Sequence, residues 1–212
     1  MNIESIPDAL VANRPLLISC MDDIMMSYTL LEECYSKGGK LLICGNGGSS
    51  SDADHIVGEL MKSFEMPRPV DKTLAKNLQK VSPEKGKYIA GKLQAALPAI
   101  SLNAHTSLFT AISNDIDPDL VFAQQIIGYG KEGDVLMAIS TSGNAGNVVN
   151  AAITAKAAGL KVIGMTGMTG GALKKHCDIT VCIPSTLTAE IQEYQLPVYH
   201  VLCRMLELRF FK

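Results

Sequence analysis

The chain has 212 residues, a formal net charge of −2 and a sequence pI near 6.1, which gives no electrostatic footprint for nucleic acid or an anionic membrane. A hydrophobic content of 47% suits one α/β domain with a substantial core and argues against a disordered chain. Aromatic residues are 5% and Trp is absent, so a base-stacking platform is not expected. The N-terminal MNIESIPDAL lacks the basic and apolar regions of a signal peptide, and no apolar run reaches spanning length, which predicts a cytoplasmic protein. Six cysteines show no C-x-x-C pair and lie mostly in apolar segments, reading as small buried hydrophobes rather than a zinc ribbon or a disulfide framework.

Residues 6–35 carry apolar side chains at helical spacing, with a break at Pro15 and an end at Gly38-Gly39. Their Met and Leu residues fit packing on a second subunit or on the protein's own sheet equally well. Residues 40–44 then read as a strand, 45–48 as a glycine-rich turn and 49–65 as a helix. Pro67, Pro69 and the polar run 71–87 interrupt this rhythm, and residues 85–96 return to a basic helical pattern, so about 69–96 is expected to be an insertion. Its lysines suit either a solvated face or a funnel for an anionic substrate. Further strands are predicted at 99–102, 134–140, 161–165 and 179–183, with helical segments around 107–112, 118–128, 148–158 and 187–211. Five strands alternating with helices predict a single-domain, three-layer α/β sandwich with a mainly parallel sheet, preceded by a helical region over about 1–37.

The strand, turn and helix of residues 40–65 carry the strongest functional signal. In an open parallel sheet, ligands bind where a strand's carboxyl end turns into a helix. Free N–H groups and the helix dipole attract an anion there, glycine permits close approach, and Ser49, Ser50 and Ser51 add hydroxyl donors. Phosphate is the expected anion. His55 and Glu59, four residues apart, share a face farther along the helix, where chemistry on an attached carbon chain would occur. The second strand-turn, ending in Ser140-Thr141-Ser142, repeats the arrangement and can converge on the same phosphate. No Gly-Lys pair is followed by Ser or Thr, Ser50 stands where a dinucleotide fingerprint needs its third glycine, and no G-x-S-x-G elbow occurs. Those absences argue against a Walker loop, a nicotinamide site and a serine nucleophile. Gln192 and His200 share a face of the last helix, which Pro197 is expected to bend. His105 and His176 have no acidic or phosphate context and receive no role.

Taken together, CGNGGSSSDADHIVGE (44–59), SND (113–115), ISTSGNAGNVV (139–149) and TAEIQEYQLPVYH (188–200) resemble the sugar isomerase (SIS) domain family. The resemblance covers most of the chain and implies a homotetramer with active sites at subunit interfaces. It implies aldose–ketose isomerisation of a phosphosugar, foremost D-sedoheptulose 7-phosphate to D-glycero-D-manno-heptose 7-phosphate. Carried over motif by motif, Asn46, Gly47, Gly48 and Ser49 line the substrate, Ser140, Thr141 and Ser142 hold phosphate with Ser49, and Asn114 and Asp115 lie near the sugar. Gln192 belongs to the substrate set, and His55, Glu59, Gln192 and His200 match a zinc site of some members. Isomerisation through an enediol needs a base at carbon and an acid at oxygen, for which Glu59 and His200 are the candidates. Ala145 and Ala189 depart from the family pattern by removing a serine and an aspartate. The alternative is a non-catalytic SIS-domain regulator that binds a bacterial replication initiator; it lacks the carboxylate and histidine that this chain has at 59 and 200.

Overall fold

The computed structural model describes Ile3 and residues 5–212, so the first residues of the expected N-terminal helical region lie outside it. That region contains α1 (Ser5–Asn13), a 3₁₀ turn (Pro15–Cys20) that begins at the predicted proline break, and α2 (Met21–Ser36). The sheet is built from β1 (Leu41–Gly45), β2 (Ala99–Ser101), β3 (Val135–Ile139), β4 (Lys161–Thr166) and β5 (Ile179–Cys182). All four pairings are parallel, in the order β2-β1-β3-β4-β5. Every residue of β1 and β3 is buried, as expected for central parallel strands covered on both faces, which read as unbroken apolar runs.

One face of the sheet packs against α1, α2, α3 (Gly48–Met61) and α9 (Thr188–Phe211) through residues such as Ile43, Met137, Ile56 and Leu202. The other face packs against α6 (Thr106–Asp115), α7 (Val121–Tyr129) and α8 (Gly146–Ala157) through Leu42, Leu136, Phe122 and Ala152. This is the three-layer sandwich. After β1 the chain moves outward to β2, then returns to β3 on the other side of β1. The strand order therefore reverses between β1 and β3, and that crevice is where such sheets bind ligands.

Two expectations need correction. The polar run after Pro69 is itself helical: α4 (Lys72–Val81) and α5 (Pro83–Ala90) form an exposed hairpin, with α4 capped by the Asp71 carboxylate. The helix expected over 49–65 stops at Met61, because the Phe64 and Glu65 N–H groups donate to Glu207 of α9, at 2.8 and 2.9 Å, instead of continuing the helical ladder. Pro197 lies inside α9, which runs unbroken through it.

Candidate active site

The two serine-rich turns lie side by side because β1 and β3 are paired, with Gly45 opposite Ile139. Asn46 and Asn147 lock them together by a reciprocal amide pair, at 2.8 and 3.1 Å. Neither α3 nor α8 has a side-chain cap, and although the Ser49, Ser50 and Val148 N–H groups donate to carbonyls of the turns, the two neighbouring helix starts still present their positive dipole ends to an anion. Gly47 has φ of 55°, and a Cβ on Gly48 would lie 2.3 Å from Gln192 Nε2, so the turn needs glycine for its shape and for the approach of α9. Ser49 and Ser140 are buried, Thr141 is partly buried and Ser142 is exposed, its Oγ accepting from Asn144 N–H at 3.1 Å. Ala145 occupies the uncapped position before α8.

Helices α3 and α9 run parallel: Gln192 lies against Gly48, His200 against His55, and Glu207 accepts from Phe64 and Glu65. This register gathers the second cluster. His55 Nε2 is 3.2 Å from Glu59 Oε1 and 3.4 Å from His200 Nε2, while His55 Nδ1 is 3.1 Å from the Tyr199 hydroxyl. Tyr199 donates to Asp52 Oδ1 at 3.1 Å, so on this hydrogen-bond pattern its oxygen accepts from His55 Nδ1–H, and His55 Nε2 faces Glu59 and His200. Burial, and then the neighbouring His55, hold the His200 pKa below its ordinary value. Burial likewise raises the Asp52 carboxyl, against the Tyr199 hydrogen bond and His55. A cavity of about 350 Å³ opens beside His200, lined in part by Phe64, Glu65, Arg14 and Arg204.

The donor set can be tested against zinc. Zn–N bonds of about 2.0–2.1 Å give tetrahedral edges of roughly 3.3–3.4 Å, close to the 3.4 Å from His55 Nε2 to His200 Nε2 and the 3.2 Å to Glu59 Oε1. Glu59 Oε2 is buried without a hydrogen-bond partner, with the Lys62 ammonium 3.7 Å away. Among the described residues, however, no three His, Cys, Asp or Glu side chains close around one point. Gln192 stands outside the cluster, about 12 Å from His200 by helix rise, a gap the two side chains close only by leaning toward each other. The residues therefore fit a divalent ion in part, with two edges in place. Asn114 and Asp115 are exposed at the end of α6, joined by a 2.8 Å hydrogen bond, and only residues 116–120 separate them from α7.

Sequence reasoning missed Asp52, Tyr199 and Asn147. Asp52 lies at i−3 from His55 and Tyr199 adjoins His200, so the spacing signal existed; the Asn46–Asn147 pair depends on strand order and had none. His105, given no chemical role, accepts from Leu108 N–H at 3.2 Å at the start of α6.

Residues 78–167 match the SIS domain. The phosphoheptose isomerase of Roseiflexus sp. (strain RS-1) is 39% identical over 180 residues, covering 85% of this chain and 78% of that protein. The chain belongs to the phosphoheptose isomerase family. As a member of that family it is an enzyme, an isomerase. The structure of phosphoheptose isomerase GmhA from Neisseria gonorrhoeae matches 95% of this chain and 94% of its own, with a TM-score of 0.74 and 30% identity. A phosphoheptose isomerase structure from Francisella tularensis matches with the same TM-score, 0.74, at 28% identity over 97% of this chain and 96% of its own. The parallel five-stranded sheet is thus the fold of phosphoheptose isomerases.

Proposed function

We propose that the protein isomerises D-sedoheptulose 7-phosphate to D-glycero-D-manno-heptose 7-phosphate, with phosphate held by Ser49 and Ser140 to Ser142 and the carbonyl end held between Glu59 and His200. The observation that carries this reading is the parallel register of α3 and α9, which sets the two clusters a sugar's length apart. By helix rise, Ser49 lies about 9 Å from His55 and about 15 Å from Glu59, whose side chain leans back toward His55. An extended seven-carbon phosphate built from bonds of about 1.5 Å spans roughly 10 Å, enough to join the serine turns to His55 and Glu59.

In the forward direction, in the metal-free site, Glu59 takes a proton from C1 of the ketose while His200 gives its Nε2 proton to O2, forming the enediol. Glu59 then returns a proton to C2 and His200 recovers one from O1, which becomes the aldehyde. Asp52 and Tyr199 hold the His55 ring, and Asn46, Gly47, Gly48, Gln192, Asn114 and Asp115 line the sugar in this reading. We read His55, Glu59 and His200, with Gln192 turning in as a fourth donor, as a zinc site. When bound through the His55 and His200 Nε2 atoms, zinc would polarise the carbonyl in place of the His200 proton, or order the site. The proposed assembly is a homotetramer, supported by exposed Leu16, Ile18 and Met26 on the N-terminal elements.

Incubating metal-analysed protein, before and after chelation, with a panel of ketose phosphates and following aldose formation tests both parts. Turnover of the seven-carbon substrate ahead of shorter ketoses, with zinc removed by the chelator, is the expected result. No aldose from any ketose phosphate would contradict the function, and zinc-free protein as purified would contradict the metal.

A further inference from the structure

The α4–α5 hairpin takes no part in the site, and the fold leaves it almost wholly exposed. No residue of α4 is buried, and in α5 Gly86 alone is. The hairpin is nevertheless well built: a Cβ on Gly86 would lie 2.1 Å from the Leu78 carbonyl oxygen, so the helices touch at backbone distance. It stands on a closed stem, where Pro69 and Gln94 form an antiparallel bridge and Ala95 N–H donates to the Arg68 carbonyl at 2.7 Å. Its surface carries Leu74, Val81 (87% exposed), Tyr88 (68% exposed) and Leu93. Apolar side chains grouped in this way on an element with no core of its own mark an interaction surface.

Charge identifies the occupant. Residues 72–92 hold six lysines and one acid, Glu84, for a net +5, whereas the whole chain is −2, which leaves −7 on the remainder. An anionic lipid or nucleic-acid surface that attracted the hairpin would repel the body behind it, while a second copy of this chain presents the complementary charge. The matching surface is the ridge at residues 115–120, where exposed Asp115, Asp117 and Asp119 alternate with the exposed apolar residues Ile116 and Leu120.

Within one protomer the two surfaces lie at opposite ends of the sheet. The hairpin follows the C-terminal end of α3 and leads into the start of β2, whereas the ridge abuts the start of α8 above β3, Asn150 donating to the Asp119 carbonyl at 3.1 Å. We propose that the α4–α5 hairpin of one protomer docks on the 115–120 ridge of a second copy. A two-fold axis makes the contact reciprocal and closes it. The interface goes beyond the isomerase reading and stands without it. If that reading holds, the contact also brings lysines to the rim that carries the phosphate turns.

The test is zero-length carbodiimide cross-linking of the full chain, with mapping of the joined peptides, and a dilution series followed by light scattering. Covalent dimers joined between 72–92 and 115–119 are expected. Lys76→Glu with Lys80→Glu should weaken association at least tenfold, and Asp117→Lys with Asp119→Lys should restore it when added to that pair. Because residues 69 and 94 already meet in the stem, replacing 71–92 by a short linker gives a second variant that should show the same weakening. Dimers joined only through other segments, equal association in the lysine variants and wild type, or hairpin-dependent binding to vesicles of one part phosphatidylserine to three parts phosphatidylcholine would overturn the proposal. Catalysis is not read in this experiment, so its failure leaves the isomerase reading untouched.

Discussion

At the residue scale, the two serine turns and the His55/Glu59 pair stood out as candidates because their patterns are local in sequence. A strand running into glycines and serines states an anion site by itself, and residues four apart on a helix state a shared face. What was not legible is the support around them. The orientation of the His55 ring is held by Tyr199 and Asp52, 147 residues apart in sequence and on different helices, and no pattern within either segment shows that contact. Ser142 is exposed on the second turn, which suits a contact to a remote phosphate that is made equally in ground and transition states. Ser142→Ala should therefore raise KM severalfold with kcat little changed in steady-state assays; a fall confined to kcat would contradict that role. His200 has its pKa lowered by burial and by His55, so in metal-free protein an NMR titration should place it below the ordinary value of about 6.5. With the folded value depressed, the unfolded chain binds more protons across that window. His200 thus costs stability as pH falls from about 6.5 toward its folded pKa and has no such effect at higher pH. His55→Ala should raise the His200 pKa, and an unchanged value would remove His55 as a cause.

At the element scale, the pairing of α3 with α9 is fixed by a buried clamp. Arg68 and Glu207 are both about 1% exposed. Arg68 Nε donates to Glu207 at 2.7 Å, and its other nitrogens donate to the Leu60 and Glu59 carbonyls at 2.8 and 2.9 Å, satisfying the orphan acceptors at the end of α3. Burial alone would raise the Glu207 pKa, but the Phe64 and Glu65 N–H groups and Arg68 outweigh it and hold the carboxyl low. This contribution to stability is present above the ordinary carboxylate range, about 4.3, and is lost as pH falls through the depressed folded value. Glu207→Gln leaves a buried guanidinium without its counter-charge and should cost about 3 kcal/mol in urea unfolding, whereas a loss under 1 kcal/mol would show that the clamp does not hold the register. The sequence concealed the clamp because Arg68 sits between two prolines in a segment that reads as loop, and Glu207 looks like a surface position on an ordinary helix. The helix of α4 was overlooked although Leu74, Leu78 and Val81 stand at helical spacing, because the lysines between them and the flanking prolines made the run read as a polar break.

At the scale of the whole molecule, alternating strands and helices were enough to predict the layered parallel sheet, since β1, β3 and β4 are apolar runs of the length such sheets use. Strand order was not readable, and it gives the motifs their meaning: β1 and β3 are separated by β2 in sequence yet adjacent in space, so the two serine turns meet at the reversal point. From there α3 and α9 lead side by side to Glu59 and His200, and the account depends on a proton being moved at that end while phosphate is held at the other. The most direct measurement is the rate of aldose formation from D-sedoheptulose 7-phosphate by wild type and by Glu59→Gln, alongside sugar-phosphate binding to each. The account predicts turnover by wild type, kcat lower by about 10² or more in the variant, and binding largely retained. Activity within threefold of wild type in Glu59→Gln, or binding without turnover in wild type, would contradict it.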